Sequence, residues 1–187
     1  MPSTYSPDLR IELIPNGEQS GTWGTTTNNN LGTLIEDAIS GAATISVIAT
    51  NQALTAANGA ADEARCAALI LTTTTGAPFN IFAPPVTKLY VIYNASSYGA
   101  TIYCSTVLGN TTAAGAGYDI PAGRTVFIRS NGTVFSGAIT HADTLTLGTQ
   151  LGVTSGGTGL NTVPALSVPV ANSLNTLTAL TDRKSVV

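Results

Sequence analysis

The feature that most constrains this chain is the alternation of short β-like segments with turn-forming clusters across residues 43–139. Segments rich in β-branched and aromatic residues, which favour strands, end repeatedly at clusters of Gly, Pro, Asn or Ser. The segments are 44–50, 67–73, 79–82, 88–94, 101–107, 125–130 and 133–139. This spacing predicts a mainly β protein, folded as an antiparallel β-sandwich or partly open barrel. The absence of long helical patterns among the segments argues against a parallel α/β fold.

Two local patterns refine this prediction. Asn131-Gly132 separates the segment 124–130 from 133–135, and Asn-Gly tolerates the positive φ angles of a two-residue hairpin turn. We therefore expect a hairpin whose turn residues are Asn131 and Gly132. The stretch 59–71 has two interpretations, a turn leading directly into a strand or one helical turn at 60–65 before it, and the first is favoured.

Residues 1–42 predict an N-terminal docking arm followed by an amphipathic helix. Turn formers and the short alternating segment 9–14 are typical of an extended arm. Residues 28–30, all Asn, can cap the start of a helix, and Gly41 marks its end. Because so short a helix is marginal in water, its apolar residues must be buried against the body or against sister subunits. These residues, at helical spacing, are Leu31, Leu34, Ile35, Ala38 and Ile39.

Residues 141–187 differ from the β-rich body at 43–140, because they are rich in Leu, Thr, Gly and Ser with almost no aromatic or charged residues before Asp182. They contain too few large apolar groups for a core of their own. Copies wound around a common axis would bury the Leu and Val positions. We therefore predict an extended oligomerisation or shaft segment, with trimer contacts at Leu145, Leu147, Leu174, Leu177 and Leu180.

The composition favours a folded, self-associating protein. Only 9% of residues are charged, 43% are hydrophobic and the formal net charge is −3, whereas disorder requires low hydrophobicity and high net charge. Neutral surfaces promote contact between copies. The seven basic residues are scattered, so no stripe follows a phosphate backbone and we expect no nucleic-acid partner. We also expect no signal peptide, no membrane insertion and no cofactor.

The block Gly21 to Gly41, which contains Trp23-Gly24-Thr25, closely resembles the N-terminal segment of bacteriophage tail fibre proteins, especially those of marine podophages. The stretches 54–65, 85–94 and 120–133 also resemble that family. The run 152–159 is similar to the Gly-Gly-Thr-Gly elements of phage fibre shafts, although low-complexity chains produce such runs easily.

This resemblance implies a non-enzymatic virion protein, assembled in the host cytoplasm as a homotrimer. Its N-terminal part is expected to attach to other tail proteins, such as a nozzle, adaptor or distal fibre subunit, through Trp23, Gly24 and the apolar helix residues. The distal regions are expected to reach the host surface. Family members commonly continue into a long shaft or receptor-binding tip, and this sequence ends at Val187, which favours an anchor or adaptor subunit.

Catalytic patterns are weak. A glycosidase needs two carboxylates flanking the scissile bond, whereas Glu36-Asp37 and Asp62-Glu63 are sequence neighbours that diverge on a helix or strand. We interpret them as solvated or turn residues. The pair His141 and Asp143, with Thr144 or Ser136 as nucleophile, lacks any accompanying motif, and we interpret it as part of a polar linker.

Metal binding and disulfide formation are also not expected. A zinc site needs more ligands than Cys66, Cys104 and His141 supply. Since both cysteines lie in apolar, strand-like segments, we predict two buried free thiols, with a single bridge between neighbouring strands as the alternative.

Aromatic residues leave the binding role open. Trp23, the sole tryptophan, is interpreted either as a core anchor or as an interface residue. Four tyrosines, Tyr90, Tyr93, Tyr98 and Tyr103, either pack within the sheets or form a sugar-binding surface for a host glycan. A carbohydrate-binding module is therefore the second hypothesis, and a glycan-cleaving tail enzyme is the third.

Overall fold

The computed structural model describes residues 3–139, 141, 167–173 and 176–181. The protein is mainly β, as predicted. The chain divides into two compact units, Met1–Thr140 and His141–Val187.

The first unit contains eleven described strands and one helical stretch before its body. The strands are β1 (Thr4–Tyr5), β2 (Glu12–Leu13), β3 (Ala42–Val47), β4 (Asn51–Ala53), β5 (Ala68–Thr73), β6 (Phe79–Ala83), β7 (Thr87–Asn94), β8 (Ala100–Cys104), β9 (Tyr118–Ile120), β10 (Thr125–Asn131) and β11 (Phe135–Gly137). The helical stretch consists of α1 (Trp23–Asn29), a π-helical segment (Asn30–Ile35) and α2 (Glu36–Ser40), and a 3-10 turn follows at Glu63–Arg65. Each of the seven predicted β segments contains a strand, whereas the three-residue strands β4 and β9 were not predicted.

The body is built from two sheets between which the chain alternates. One sheet has the order β11-β10-β7-β5-β3 and the other the order β4-β6-β8-β9. From β3 to β8 each successive strand joins the opposite sheet, so β3, β5 and β7 run parallel to one another, as do β4, β6 and β8. Parallel neighbours require a long crossover connection, and here a strand of the other sheet supplies it.

The predicted antiparallel arrangement is therefore wrong for four strand pairs. It holds where β10 pairs with β7 and β11, and where β9 pairs with β8. Turn-forming residues show where a strand ends but not which strand it joins. Pro84-Pro85, for example, carries the chain from β6 to β7 in the other sheet rather than reversing it within one sheet.

Both sheets contribute to one hydrophobic core. Alternate residues of β3, β7 and β10 are buried, as the period of two in an extended chain requires, whereas Ile81, Phe82 and Ala83 of β6 are all buried. The five-stranded sheet supplies Val47, Leu69, Leu71, Ile92 and Ile128, and the four-stranded sheet supplies Ile81, Ile102 and Ile120. The fully buried Asn94 connects the sheets, because its Nδ2 atom at the end of β7 donates to the carbonyl of Ile120 in β9 at 2.9 Å.

The predicted hairpin is confirmed, but its turn is displaced. β10 and β11 pair Ser130 with Phe135, so the chain turns around Gly132 and Thr133 rather than Asn131 and Gly132. The Asn131 Oδ1 atom accepts hydrogen bonds from the backbone N–H groups of Thr133 and Val134. This local bonding by Asn131 keeps its own backbone in β10 and moves the turn one residue further.

In the second unit, β12 (Ser167–Ser173) and β13 (Thr176–Thr181) form an antiparallel pair. Leu177 and Leu180 lie in β13, in register with Ala171 and Val168. The other predicted trimer contacts, Leu145, Leu147 and Leu174, lie outside the described residues. The trimer-wound arrangement of this segment stays a prediction.

Candidate docking surface

The helix begins at Trp23, well before the predicted start at the asparagines. Gly, Thr and Asn are poor helix formers, so the sequence between Trp23 and Asn30 carried no helical pattern. Tertiary hydrogen bonds explain its helicity. Nδ2 of Asn29 donates to the carbonyl of Gly59 at 2.9 Å, and Nδ2 of the buried Asn30 donates to the carbonyl of Glu12 at 2.9 Å. These asparagines attach the helix to the arm and the body instead of capping it.

The helix ends where predicted, at Gly41. The backbone N–H groups of Gly41 and Ala67 both donate to the carbonyl of Asp37, at 2.9 and 3.1 Å. A Cβ atom on Gly41 would lie 2.6 Å from that oxygen, which is closer than real Cβ contacts. Glycine is therefore required for the close approach of the chain to the last helical turn, and this approach leads directly into β3.

The apolar residues of the helix do not share one face. Leu34 is completely buried within the chain itself, and Ile35 and Ala38 are half-buried. Leu31 and Ile39 are 58% and 74% exposed. The π-helical segment accounts for part of this separation, because its wider turn changes the angle between residues that regular α-helical spacing would align.

Trp23 is 61% exposed, so the interpretation of this residue as a core anchor is wrong. Together, Trp23, Leu31 and Ile39 are the large exposed apolar side chains of the helix, and we call them the exposed helix residues. Gly24 follows Trp23 in α1 and has open space around its Cα atom. Trp23 is therefore in contact with solvent on a helix that side-chain hydrogen bonds hold in place.

Arg65, which forms a buried ion pair with Asp62, connects the arm to the body. The side chains of Arg65 and Asp62 are almost completely buried, and Arg65 Nη2 lies 3.1 Å from Asp62 Oδ2. Arg65 also donates from Nε to the carbonyl of Leu9 in the arm at 3.1 Å, and to the carbonyls of Ala57 and Ala60 in the body. A buried guanidinium requires such complete pairing, because an unpaired charge in this position would be strongly unfavourable.

Residues 59–71 contain one helical turn before their strand, since the 3-10 turn at Glu63–Arg65 precedes β5. The favoured interpretation of these residues, a turn leading directly into the strand, is therefore wrong. Asp62 Oδ1 caps the turn by accepting from the backbone N–H of Arg65 at 2.8 Å. Glu63 accepts hydrogen bonds from the backbone N–H and the hydroxyl of Thr55. Of the two interpretations of Asp62, a turn residue is confirmed and a solvated residue is wrong, because its carboxylate is buried against Arg65.

Lys88 lies beside this region, with Nζ donating to the carbonyls of Cys66 and Leu89 at 2.9 and 3.3 Å. The same atom lies 4.2 Å from the centre of the Tyr90 ring. Burial lowers the pKa of Lys88 from 10.5 to about 8. Burial also raises the pKa of the Cys66 and Cys104 thiols, which are free and buried, as predicted. Backbone carbonyls and a ring face stabilise the charge of Lys88, and the nearby Asp62 carboxylate also favours the charged form.

The four tyrosines considered for glycan binding do not form one surface. Tyr90 is buried and its hydroxyl donates to the carbonyl of Ala64 at 2.9 Å. Tyr93 belongs to the five-stranded sheet, whereas Tyr103 belongs to the four-stranded sheet and stacks on Phe82 with ring centres 5.4 Å apart. Tyr98 lies in the connection between β7 and β8 and is partly exposed.

Within the described residues, no group of three or more His, Cys, Asp and Glu side chains is placed to hold a metal ion. Asp143 and Thr144 lie outside those residues, so the geometry of the His141 and Asp143 pair is not described. Glu36 is exposed on α2 and its neighbour Asp37 is half-buried. None of the helices in the described part of the chain is long and apolar enough to cross a membrane.

Comparison of this chain with known protein families, with curated proteins and with solved structures gives no match. The functional interpretation therefore depends on the residues and their geometry.

Proposed function

We propose that this protein is a structural subunit of a bacteriophage tail. In this proposal it is a trimeric tail fibre, or the anchor or adaptor of one, with a β-sandwich body and a trimer-wound C-terminal segment. It attaches to another tail protein through its N-terminal helix, contributes to host adhesion and is located in the virion. Its action is mechanical, since repeated weak contacts become effective when several copies are held together.

The observation that carries this proposal is the exposed tryptophan of the N-terminal helix. Trp23 belongs to the Trp-Gly block that resembles phage tail fibre proteins, and it is 61% exposed. Tryptophan is among the residues most enriched at interface hot spots. Leu31 and Ile39 are further exposed apolar side chains of the same helix. A docking segment that has not yet bound its partner is expected to expose such side chains to water.

The rigid attachment of the helix supports the same proposal. Hydrogen bonds at Asn29, Asn30 and Gly41 hold the helix against the arm and the body. Arg65 holds the arm through its hydrogen bond to the carbonyl of Leu9. A docking element that is ordered before binding loses less conformational entropy on association. A subunit that transmits force between a tail and a fibre requires this type of connection.

The test is the occupancy of the subunit in virions that carry Trp23→Ala. We expect incorporation to fall at least tenfold, because loss of a hot-spot tryptophan costs about 2 kcal/mol or more of binding free energy. Ile48→Ala is the matched control, since Ile48 is 78% exposed but lies outside the helix. Normal incorporation of the Trp23→Ala chain would show that the docking surface is elsewhere.

The intrinsic fluorescence of Trp23, the sole tryptophan, gives an independent readout. The emission of the free protein is expected to be that of a solvent-exposed indole. On addition of purified tail particles lacking the subunit, the emission should shift to shorter wavelength as the indole is desolvated. An unchanged spectrum with particle-bound protein would contradict the assignment of Trp23.

A further inference from the structure

The outer face of the five-stranded sheet is apolar where a solvated face is normally polar. In β7, Leu89, Val91 and Tyr93 point away from the core and alternate with the buried Tyr90 and Ile92. A sheet with one face in water shows alternation between apolar inward and polar outward residues. The longest strand of this sheet instead carries large apolar residues on both faces.

The neighbouring strands make this surface continuous. Phe127 of β10 lies directly opposite Val91, and Ile70 of β5 lies directly opposite Tyr93. Side chains at such positions have Cβ atoms about 5 Å apart and touch one another. Leu89, Val91, Tyr93 and Phe127 are each between 40% and 53% exposed. We call these four residues and Ile70 the sheet-face patch.

The charge of this face indicates the kind of partner. Of the outward-facing residues described in these five strands, only Arg129 is charged, and Thr, Ser, Ala and Asn fill the positions around the patch. This single charge lies directly opposite Leu89, at one end of the patch, and the rest of the face is neutral. Such a face is complementary to another neutral face with an apolar centre and hydroxyl-bearing margins, and a second copy of this chain presents that face.

The size of the face is sufficient for association. Five strands about 4.8 Å apart, with up to eight residues rising about 3.3 Å each, form a face of roughly 500 Å². Two such faces together reach about 1,000 Å², the lower limit for a specific interface.

We propose that the sheet-face patch is the surface through which copies of this chain meet in their β-rich bodies. This proposal rests on the homotrimer proposed above and assigns its contact surface. The patch follows the direction of β7 and β10, so neighbouring copies would lie side by side with their central strands facing a common axis. The exposed helix residues remain available for the tail.

Thiol cross-linking of the full-length chain tests this arrangement. In Phe127→Cys, which adds one accessible thiol to each chain, a short bifunctional thiol reagent should join copies into covalent dimers. Cys66 and Cys104 are buried and give a low background. Val107→Cys is the control, since Val107 is 64% exposed and lies outside the sheet. We expect at least a tenfold excess of cross-linked product for Phe127→Cys.

A second pair of variants measures the strength of the contact. Val91→Glu places a charge in the centre of the patch, whereas Val107→Glu makes the same change outside it. The concentration at which half of the chains are assembled should rise at least tenfold for Val91→Glu only. Val91 faces away from the core, so we expect Val91→Glu to fold. A cooperative thermal unfolding transition at low concentration checks that it has folded.

The outcomes separate this inference from the proposed function. A multimeric wild type whose Phe127→Cys form gives no more cross-linked product than the control overturns the assigned surface and leaves the homotrimer standing. A monomeric wild type overturns both. If the wild type is monomeric and Val91→Glu abolishes binding to host glycan, the patch belongs to the carbohydrate-binding hypothesis instead.

Discussion

The N-terminal arm and helix differ from the β-rich body in the interactions that hold them. The body is held by aliphatic side chains, such as Leu71 and Ile102, that lie completely out of solvent between two sheets. The arm and helix are held mainly by directed polar contacts, among them those of Arg65 and Asn30. Apolar packing tolerates small displacements, whereas a buried charge or amide depends on particular partners.

This difference matters for function. The helix leaves Trp23, Leu31 and Ile39 exposed and buries one large apolar side chain completely, that of Leu34. The body uses most of its apolar residues for the core, whereas Leu89, Val91, Tyr93 and Phe127 are exposed on the outer face of one sheet. The predictions below test this contrast, beginning with the largest expected effect.

Replacement of Arg65 by Met should lower the free energy of unfolding by about 3–5 kcal/mol, because Asp62 is left as an unpaired buried charge. Hydrogen exchange should show that residues 3–14 lose protection before the strands do. The double variant Arg65→Met with Asp62→Leu should recover only part of the stability, because it removes the unpaired charge but also the carboxylate that accepts from the backbone N–H groups of Ala57 and Arg65. If the single variant is as stable as wild type, the ion pair does not hold the arm.

Leu71→Ala should lower the free energy of unfolding by about 3 kcal/mol, since Leu71 is completely buried in the core. Denaturant unfolding monitored by far-UV circular dichroism should show one weakened transition for the whole body. The native fluorescence of Trp23 should stay unchanged. A loss confined to the arm, with the strands unaffected, would contradict the division between the two regions.

Asn30→Ala should have a smaller effect, about 1 kcal/mol, because it removes one hydrogen bond to the carbonyl of Glu12. Asn28→Ala is the control, since Asn28 is an exposed residue of the same helix. We expect faster hydrogen exchange in residues 23–35 for Asn30→Ala only. Equal exchange in both variants would show that Asn30 does not hold the helix.

The last prediction concerns pH. The pKa of Lys88 is lowered to about 8 in the folded protein, so the unfolded chain binds more protons between about pH 8 and 10.5. The free energy of unfolding therefore gains a contribution from Lys88 as the pH rises through this window. Compared with Lys88→Met, the wild type should become relatively more stable between pH 7.5 and 9.5. A difference that does not change with pH would contradict the lowered pKa.

Much of the fold could be predicted from local pattern. The seven predicted β segments each contain a strand, the hairpin after β10 is present and Gly41 ends the helix, because each depends on residues adjacent in the chain. The missed strands β4 and β9 are three residues each, which is too short for a period of two to be recognised. The parallel pairing was missed because strand partners are distant in sequence.

The candidate site was predicted only in part. The sequence singled out Trp23 and the apolar helix residues, but it did not separate the buried Leu34 from the exposed Leu31 and Ile39. That separation depends on the π-helical segment and on contacts with the arm. The role of Arg65 was also missed, because its partners at Leu9, Ala57 and Ala60 are backbone carbonyls, which every residue carries and no pattern marks.

The amino-acid sequence by itself determined that the chain is mainly β, where most strands lie and where the helix stops, since backbone preference and side-chain period act over a few residues. Only the tertiary structure decided that the chain alternates between two sheets, that Asp62 and Arg65 form a buried pair and that an apolar sheet face remains in water. Those features depend on which distant segments exclude solvent from one another, and that is a property of the packed chain.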